Sequence, residues 1–475
     1  VTVDGLEGAV VPAYDRRAAD VGVVHLGLGA FARAHVATYC DRLLAAGHQT
    51  AGVCGVSLRS RTTVDALDAQ DGLYTVIERE DDRADLHVIG SVLQRVHGPA
   101  GAVAALTVPT VNAVTLTVTE KGYCRNAATG ELDESHPDIA HDIAHPDDPR
   151  SVPGVLLAAL RRRRRAGLEP PVIVSCDNLS ENGRATRSVV VALAGSVDEE
   201  MAAWLSEEVR FPSTMVDRIV PAPGEEDRSL VRERTGLIDR AALSCEPFSQ
   251  WVIEDAAGLP PWEAAGAVVV DSVGPWETLK LRLLNGPHSA LAYLGLLAGL
   301  ETIADAAVDP ALASFVTALA EQEVLPTLPP VATDPFAYAA SCRHRFANRA
   351  LDHHTAQVAM DGSQKLPMRL LVPMTERVAE GAEVERLGLV VAAWMTHVAR
   401  CARGGGELED PLAQTLVERV VGAPASSDGL VDALLGVVEV FGPDGLGDPS
   451  RRDPIVRGVR LLEERGPRGA AASLS

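Results

Sequence analysis

Residues 21–47, VGVVHLGLGAFARAHVATYCDRLLAAG, constrain the fold more than any other stretch of the chain. They begin as an unbroken apolar strand, turn through Gly27-Leu28-Gly29, and then take up a helical period. A strand that is apolar at successive positions has to be covered on both faces, which places it inside a parallel sheet. The pattern recurs. TAGVCGVSL (50–58) reads as a second strand, and AVTLTVTEKGY (113–123) as a strand running into a loop. PPVIVSCDNLSENG (170–183) reads as a buried strand and polar loop, followed by the helical RATRSVVVALAGSV. Residues 80–112 are less regular and read as a hairpin or an insertion. Strands alternating with helices predict an α/β domain with helices on both faces of its sheet.

The character changes near residue 276. ETLKLRLLNGPHSALAYLGLLAGLETIADAA, PALASFVTALAEQEVLPTL, LGLVVAAWMTHVARCARGG and DGLVDALLGVVEVFG are helical in pattern, and strand signals stop. A chain of 475 residues is too long for one core. Residues 1–275 are read as the α/β domain with insertions, and 276–475 as a mainly helical domain. The tail RGPRGAAASLS is expected to fray.

Composition excludes several classes of function. The formal net charge is -22, and the one basic run is Arg161–Arg165, read as the solvated end of a helix. Nucleic acid is therefore not an expected partner. The seven cysteines are scattered and contain no C-x-x-C, which suits reduced thiols in the cytoplasm rather than a disulfide framework. No charge-free apolar run is long enough to span a membrane, and no signal peptide precedes the first strand. His141 and His145 have helical spacing for a ligand pair but lie in a Pro- and Asp-rich stretch, so no metal site is expected.

Gly27-x-Gly29 stands at the first strand-to-helix turn, with Ala32 where a third glycine would fall. Glycines there allow a tight turn and let backbone approach a pyrophosphate at a helix start, so the turn predicts a dinucleotide site. The second strand ends with Ser57, Arg59 and Arg61 and no carboxylate. Those arginines suit a 2'-phosphate, stacking on adenine, or solvent. The residues leave NAD and NADP both open.

The chain has 40 arginines and only three lysines, Lys121, Lys280 and Lys365. Guanidinium stays protonated, whereas a desolvated ammonium can lose its proton and act as a base. On one continuous helix Glu277, Lys280, Asn285 and His288 fall within an arc of about 140°. Hydride removal from an alcohol needs a proton acceptor and donors to the developing oxyanion. A lysine, an amide and an imidazole on one face supply these. Pro287 interrupts the helix and makes the arc approximate. The bland alternative is a surface lysine, a capping asparagine and a core histidine.

With both sites in view, the chain resembles the mannitol dehydrogenase family, the polyol-specific long-chain dehydrogenases. VHLGLGAFARAH, TVTEKGY, SCDNLSENG, FPSTMVDRIVP, EPFSQWVIED, the lysine motif and MDGSQKLP resemble family blocks in family order. The resemblance implies a Rossmann-type N-terminal domain, a mainly helical C-terminal domain, and a metal-independent active site between them. It implies Lys280 as general acid/base, Asn285 and Asn178 as oxyanion donors, and His288 binding a substrate hydroxyl. Glu277 would relay the proton to solvent. Asp217 and Lys365 would bind substrate or order the site. Gly27, Gly29, Ala30, Phe31 and Arg59 would hold NAD or NADP, with Glu120 and Lys121 at its nicotinamide end. Arg349 stands where the family usually has proline. The resemblance leans to a monomer.

TEKGYC, FPSTMVDRIVPA, CEPFSQWVIED and MDGSQKLP resemble the family's fructuronate reductases, whereas mannitol 2-dehydrogenases more often read TEGGY. The resemblance implies reduction of D-fructuronate to D-mannonate, with Lys121 a cation suited to the sugar-acid carboxylate and Arg343 and Arg345 further candidates. Interconversion of mannitol and fructose, or turnover of another polyol or aldonate, are the enzymatic alternatives. A sensor that binds dinucleotide or sugar without turnover is the alternative of another class, and the intact lysine motif argues against it.

Overall fold

The computed structural model describes residues 6–126, 129–351, 353–404, 406–443 and 448–475. The chain divides into two units, Val1–Gly274 and Pro275–Ser475. The described strands all lie in the first. They are β1 (Val21–Leu26), β2 (Gly52–Ser57), β3 (Tyr74–Glu80), β4 (Arg83–Ile89), β5 (Val92–His97), β6 (Ala113–Leu116), β7 (Val172–Ser175), β8 (Thr214–Asp217), β9 (Leu243–Cys245), β10 (Gln250–Glu254) and β11 (Val268–Val270).

The main sheet is parallel, in the order β5-β2-β1-β6-β7. Alternate residues feed two cores, as the pleat requires. Val24, Leu26, Cys54, Val56, Val114 and Leu116 pack on one face against helices Gly98–Leu106, Val152–Arg165 and Asn182–Val197. Val23, Val53, Ala113 and Val172 pack on the other, against helix Val36–Ala45 and the buried Trp251 and Trp262. The irregular stretch is a hairpin that starts earlier than its sequence suggested. β3 and β4 pair antiparallel from Tyr74 to Ile89, and β5 returns to the edge of the main sheet. A third sheet, β11-β10-β8, carries Asp217 at the end of β8.

In the second unit, three helices begin at an Asp-Pro step. Asp309, Asp334 and Asp448 each cap a helix whose first residue is proline, accepting from backbone N–H groups at 2.9–3.3 Å. The side chain satisfies an orphan amide, and the proline has no N–H to leave unpaired. Helices Glu385–Ala402 and Pro449–Ser473 pack closely because Gly388 and Gly458 lack side chains. A Cβ on either would lie 2.8 Å from Pro454 or Ala392.

Among the described residues three segments are π-helical, Leu281–Asn285, Leu319–Val324 and Pro367–Leu371. Each ends two residues before a proline, Pro287, Pro326 and Pro373. Proline lacks the donor for an α-helical bond, and its ring clashes with the carbonyl four residues back. That carbonyl lies inside the widened turn in all three cases, so the π segment relieves the clash; an α-helix continues past Pro287 and Pro373, whereas past Pro326 a single turn ends at Thr327.

Two expectations are corrected. The tail does not fray: the helical run Pro449–Ser473 breaks at Gly466, where φ is +67°, and the helical stretch beyond the break buries Ala470 and Ala471 completely. The arginine run is not all solvated. Arg163 is buried and donates to the carbonyls of Leu106, Val108, Val111 and Glu169, tying the end of its helix to the loop before β6.

His25 and His35 are fully buried, and burial lowers their pKa to about 4 and about 3. The unfolded chain then takes up these protons first, so stability is full above about pH 6.5 and falls on acidification. Each histidine contributes a slope of about 1.4 kcal/mol per pH unit, ending near pH 4 for His25 and near pH 3 for His35. Chemical denaturation of wild type and His35→Phe between pH 6.5 and 4.5 measures the difference. Parallel stability curves for the two proteins would refute a neutral buried His35.

Candidate active site

The strand order reverses between β1 and β6, and in open parallel sheets ligands bind at the carboxyl ends of strands beside such a reversal. Gly27 follows β1 in the left-handed region, at φ +99°. A Cβ there would stand 2.0 Å from the Thr117 carbonyl oxygen, so only glycine fits. Thr117 closes the contact by donating to the Gly27 carbonyl at 2.8 Å, and its Oγ1 is hydrogen-bonded to His25 Nε2 at 2.9 Å. Gly29 is different. A Cβ on it would meet nothing nearer than the Gly27 carbonyl oxygen at 3.8 Å, so its backbone lies open to an approaching group. No side chain caps the short helix Ala30–Ala34 that follows. The amides of Gly27, Leu28 and Gly29 are bonded to the Val56 and Gly27 carbonyls, so the uncapped helix start beyond the open turn is what fits a pyrophosphate. Phe31 stacks on His35 with ring centroids 4.9 Å apart. Beyond β2, Arg59 is exposed and its carbonyl is hydrogen-bonded to His97 Nε2, while Arg61 pairs with Asp65 at 3.2 Å in solvent.

The loop after β6 is held by a residue that the sequence reading passed over. Asp177 accepts from the amides of Val118 and Thr119 at 3.0 and 2.9 Å and from the Tyr123 hydroxyl at 2.7 Å. Thr119 adopts φ +64°, and the exposed Glu120 and Lys121 follow in the turn Glu120–Tyr123. Burial pushes the Asp177 carboxyl up, while these donors pull it back. Asn178, next in the chain, is exposed. Asn182, also passed over, is fully buried. It donates to the carbonyls of Asp177 and Thr214 at 3.0 and 2.9 Å and accepts from the Thr214 amide at 2.8 Å. It thereby joins the Asn178 loop to the strand that ends in the buried Asp217. Both residues stood inside the SCDNLSENG block. A carboxylate at the end of a buried strand was the available signal.

In the second unit, Glu277 and Lys280 lie on helix Gly274–Lys280, Asn285 ends the π segment, and His288 opens helix Gly286–Leu297. The π segment acts as one inserted residue. Turning the later residues back by one step narrows the arc of the four side chains from about 140° to about 80°. Arg282 anchors the segment through a two-pronged pair with Glu376, at 2.5 and 2.7 Å, and a bond to the Thr327 carbonyl at 2.6 Å. His288 stacks on Phe346 and meets His353 edge-on, both with centroids at 5.0 Å. Its pKa is held well below the ordinary value by burial first, then by His353, Arg369, Arg345 and Lys365, so the ring is neutral. His288 Nε2 and Asn285 Oδ1 are buried and lack a hydrogen-bond partner among the described residues. Buried polar atoms are normally satisfied, so these two keep hydrogen-bonding capacity unused within the chain.

MDGSQKLP packs against the same helix. Asp361 turns through φ +55°, and a Cβ on Gly362 would lie 2.3 Å from the Trp394 indole nitrogen and 2.8 Å from the Tyr293 hydroxyl. Ser363 is held by Asp410 at 2.5 Å. Lys365 donates to the Met360 carbonyl at 2.6 Å and lies 3.9 Å from Asp361. Burial lowers its pKa. Arg343 pairs with Glu321 at 3.8 Å, Arg345 is buried, and Arg349 sits in the turn Arg349–Leu351. Among the described residues no His/Cys/Asp/Glu cluster could hold a metal, and all seven cysteines are buried free thiols.

The first unit is a dinucleotide-binding fold with a built glycine turn, and the second presents a lysine, an amide and a neutral imidazole on one helical face. The chain belongs to the mannitol dehydrogenase family, and it is an oxidoreductase. The family's mannitol dehydrogenase Rossmann domain matches residues 21–264, and its mannitol dehydrogenase C-terminal domain matches residues 272–452. D-mannonate oxidoreductase of Escherichia coli strain K12 is 42% identical over 98% of this chain and 97% of its own. An uncharacterized oxidoreductase of the same organism, YeiQ, is 44% identical over 91% of this chain and 90% of its own. Among solved structures, the ternary complex of Pseudomonas fluorescens mannitol 2-dehydrogenase with NAD and D-mannitol superposes with a TM-score of 0.84. It is 35% identical, over 98% of this chain and 96% of that one.

Replacing Asp177 by alanine strands two amides and the Tyr123 hydroxyl. The expected loss is about 3 kcal/mol of stability, with a smaller loss for Asp177→Asn, which keeps an acceptor oxygen. Urea denaturation measures both, and an alanine variant as stable as wild type would remove Asp177 from this role.

Proposed function

We propose that the chain is an NAD(H)-dependent fructuronate reductase, which interconverts D-fructuronate and D-mannonate. The observation that carries this reading is the 42% identity to D-mannonate oxidoreductase along nearly the whole of both chains. The NAD complex of the related mannitol 2-dehydrogenase and the space left open beside Gly29 support NAD as cofactor. Gly27, Gly29, Ala30, Phe31 and Arg59 hold the dinucleotide, with Glu120 and Lys121 toward its nicotinamide end.

When bound, nicotinamide exchanges a hydride with the carbon that bears the reacting oxygen. Lys280 takes the hydroxyl proton in oxidation and returns it in reduction. Glu277 passes that proton to solvent. Asn285 and Asn178 donate amide hydrogen bonds to the oxygen as charge develops on it. His288, neutral and with a buried nitrogen unsatisfied, bonds a substrate hydroxyl. Asp217 and Lys365 orient the substrate. The seven buried thiols and the family resemblance support a cytoplasmic enzyme, read as a monomer.

Mannitol 2-dehydrogenase activity is the second reading, favoured by the 35% identity to the Pseudomonas fluorescens enzyme. Oxidation of NADH with D-fructuronate, D-tagaturonate or D-fructose at neutral pH separates the two. Faster turnover on fructose than on either uronate would overturn the reductase reading. Lys280→Ala is expected to lose about a thousandfold in turnover while NADH still binds, as followed by its fluorescence. Near-normal turnover would exclude Lys280 as the base.

A further inference from the structure

We propose that Arg369 selects the substrate by pairing with its carboxylate beside His288. The inference rests on the sugar-acid reading above and names the residue that enforces it. Arg369 lies in the π segment Pro367–Leu371. Its Nη1 donates to Ser289 Oγ at 3.1 Å, and Ser289 directly follows His288. Its carbonyl oxygen lies close against Gly286, 3.2 Å from where a Cβ would stand. The guanidinium therefore sits at the first turn of the helix that presents His288.

No carboxylate pairs with Arg369 among the described residues. The nearby acids are committed elsewhere. Glu376 pairs with Arg282, Asp410 holds Ser363, and Asp361 faces Lys365. Burial disfavours the charged guanidinium, which a bound anion would relieve. Ser289 satisfies only one of its N–H groups, leaving a planar fork of the shape that takes a carboxylate with two parallel bonds. His288 feels Arg369, Arg345 and Lys365 as well as His353, all positive or able to become so. An uncharged polyol offers Arg369 no counter-charge, whereas a sugar acid does. Lys121, the cation singled out by the sequence, is exposed in its turn, where water screens a single ion pair.

Arg369→Gln and Arg369→Lys, with wild type, would be assayed on D-fructuronate, D-tagaturonate and D-fructose, and for binding of D-mannonate to the NADH complex. Thermal melting and NADH fluorescence would report whether each variant folds and binds cofactor. The expected result is a rise in KM for the uronate, and in the dissociation constant of mannonate, of roughly 30-fold or more in Arg369→Gln. The loss of kcat/KM on fructose would be at least tenfold smaller, and Arg369→Lys would recover part of the uronate loss. Equal losses on uronate and fructose, or an unchanged KM for the uronate, would overturn the carboxylate role. Wild-type preference for tagaturonate, lost in Arg369→Gln, would refute the fructuronate reading and support the subsite. If Arg369→Gln fails to fold, Arg369→Lys decides, and an unchanged mannonate affinity in it with unchanged uronate-to-fructose preference would overturn the proposal.

Discussion

Proline inside a helical rod is the constraint on which the second unit depends. Pro287 and Pro373 cannot complete α-helical bonds, and the turns before them widen to π geometry. One consequence is angular. The widened turn swings Asn285 and His288 back toward Lys280, gathering side chains that a plain α-helix would spread. Another is local. A π turn loosens backbone packing, and the Arg282–Glu376 pair, bidentate and partly buried, holds the turn to its neighbour. The residues proposed to act on the substrate thus sit on or beside a widened turn that is held from outside it.

The first unit solves a related problem with a contact instead of a kink. Gly27 touches the Thr117 carbonyl, so β1 and β6 end side by side at the point where the sheet order reverses. His25 stays neutral beneath this contact, bonded to Thr115 and Thr117 at 2.7 and 2.9 Å. Asp177 and Asn182 then fix the loops that carry Thr119, Glu120, Lys121 and Asn178. Buried polar networks of this kind are costly unless every member is satisfied, and each donor described here has its acceptor. Rigid loops at a strand end are what a cofactor site needs, since the ordering is complete before the ligand arrives.

Much of this was legible beforehand. The alternating strands, the glycine turn and the switch to helices near residue 276 all show in hydrophobic period and glycine placement, which are local properties. The lysine motif was legible because lysine is so rare here. What escaped was anything set by a distant partner. Arg163 looked like one of five solvated cations, yet the carbonyls of Leu106, Val108 and Val111 draw it inward. The tail looked frayed, yet its alanines find a buried face. Asp177 stood one residue from the asparagine that drew attention, and only the amides of Val118 and Thr119 reveal its work.

The sequence by itself determined the layout: a parallel sheet with a dinucleotide turn, a helical second half, and a family carried by its ordered blocks. The sheet, the turn and the helices follow from periodicity and from backbone freedom at glycine, readable within a few residues. Only the tertiary structure decided which charges are buried and what faces them. Glu376, Asp410 and Asp361 turn to Arg282, Ser363 and Lys365, and among the described residues Arg369 is left half-buried beside His288 without a carboxylate. Pairing of that kind depends on side chains brought together from far along the chain, and the cost of an unpaired charge arises only once folding has removed the water around it.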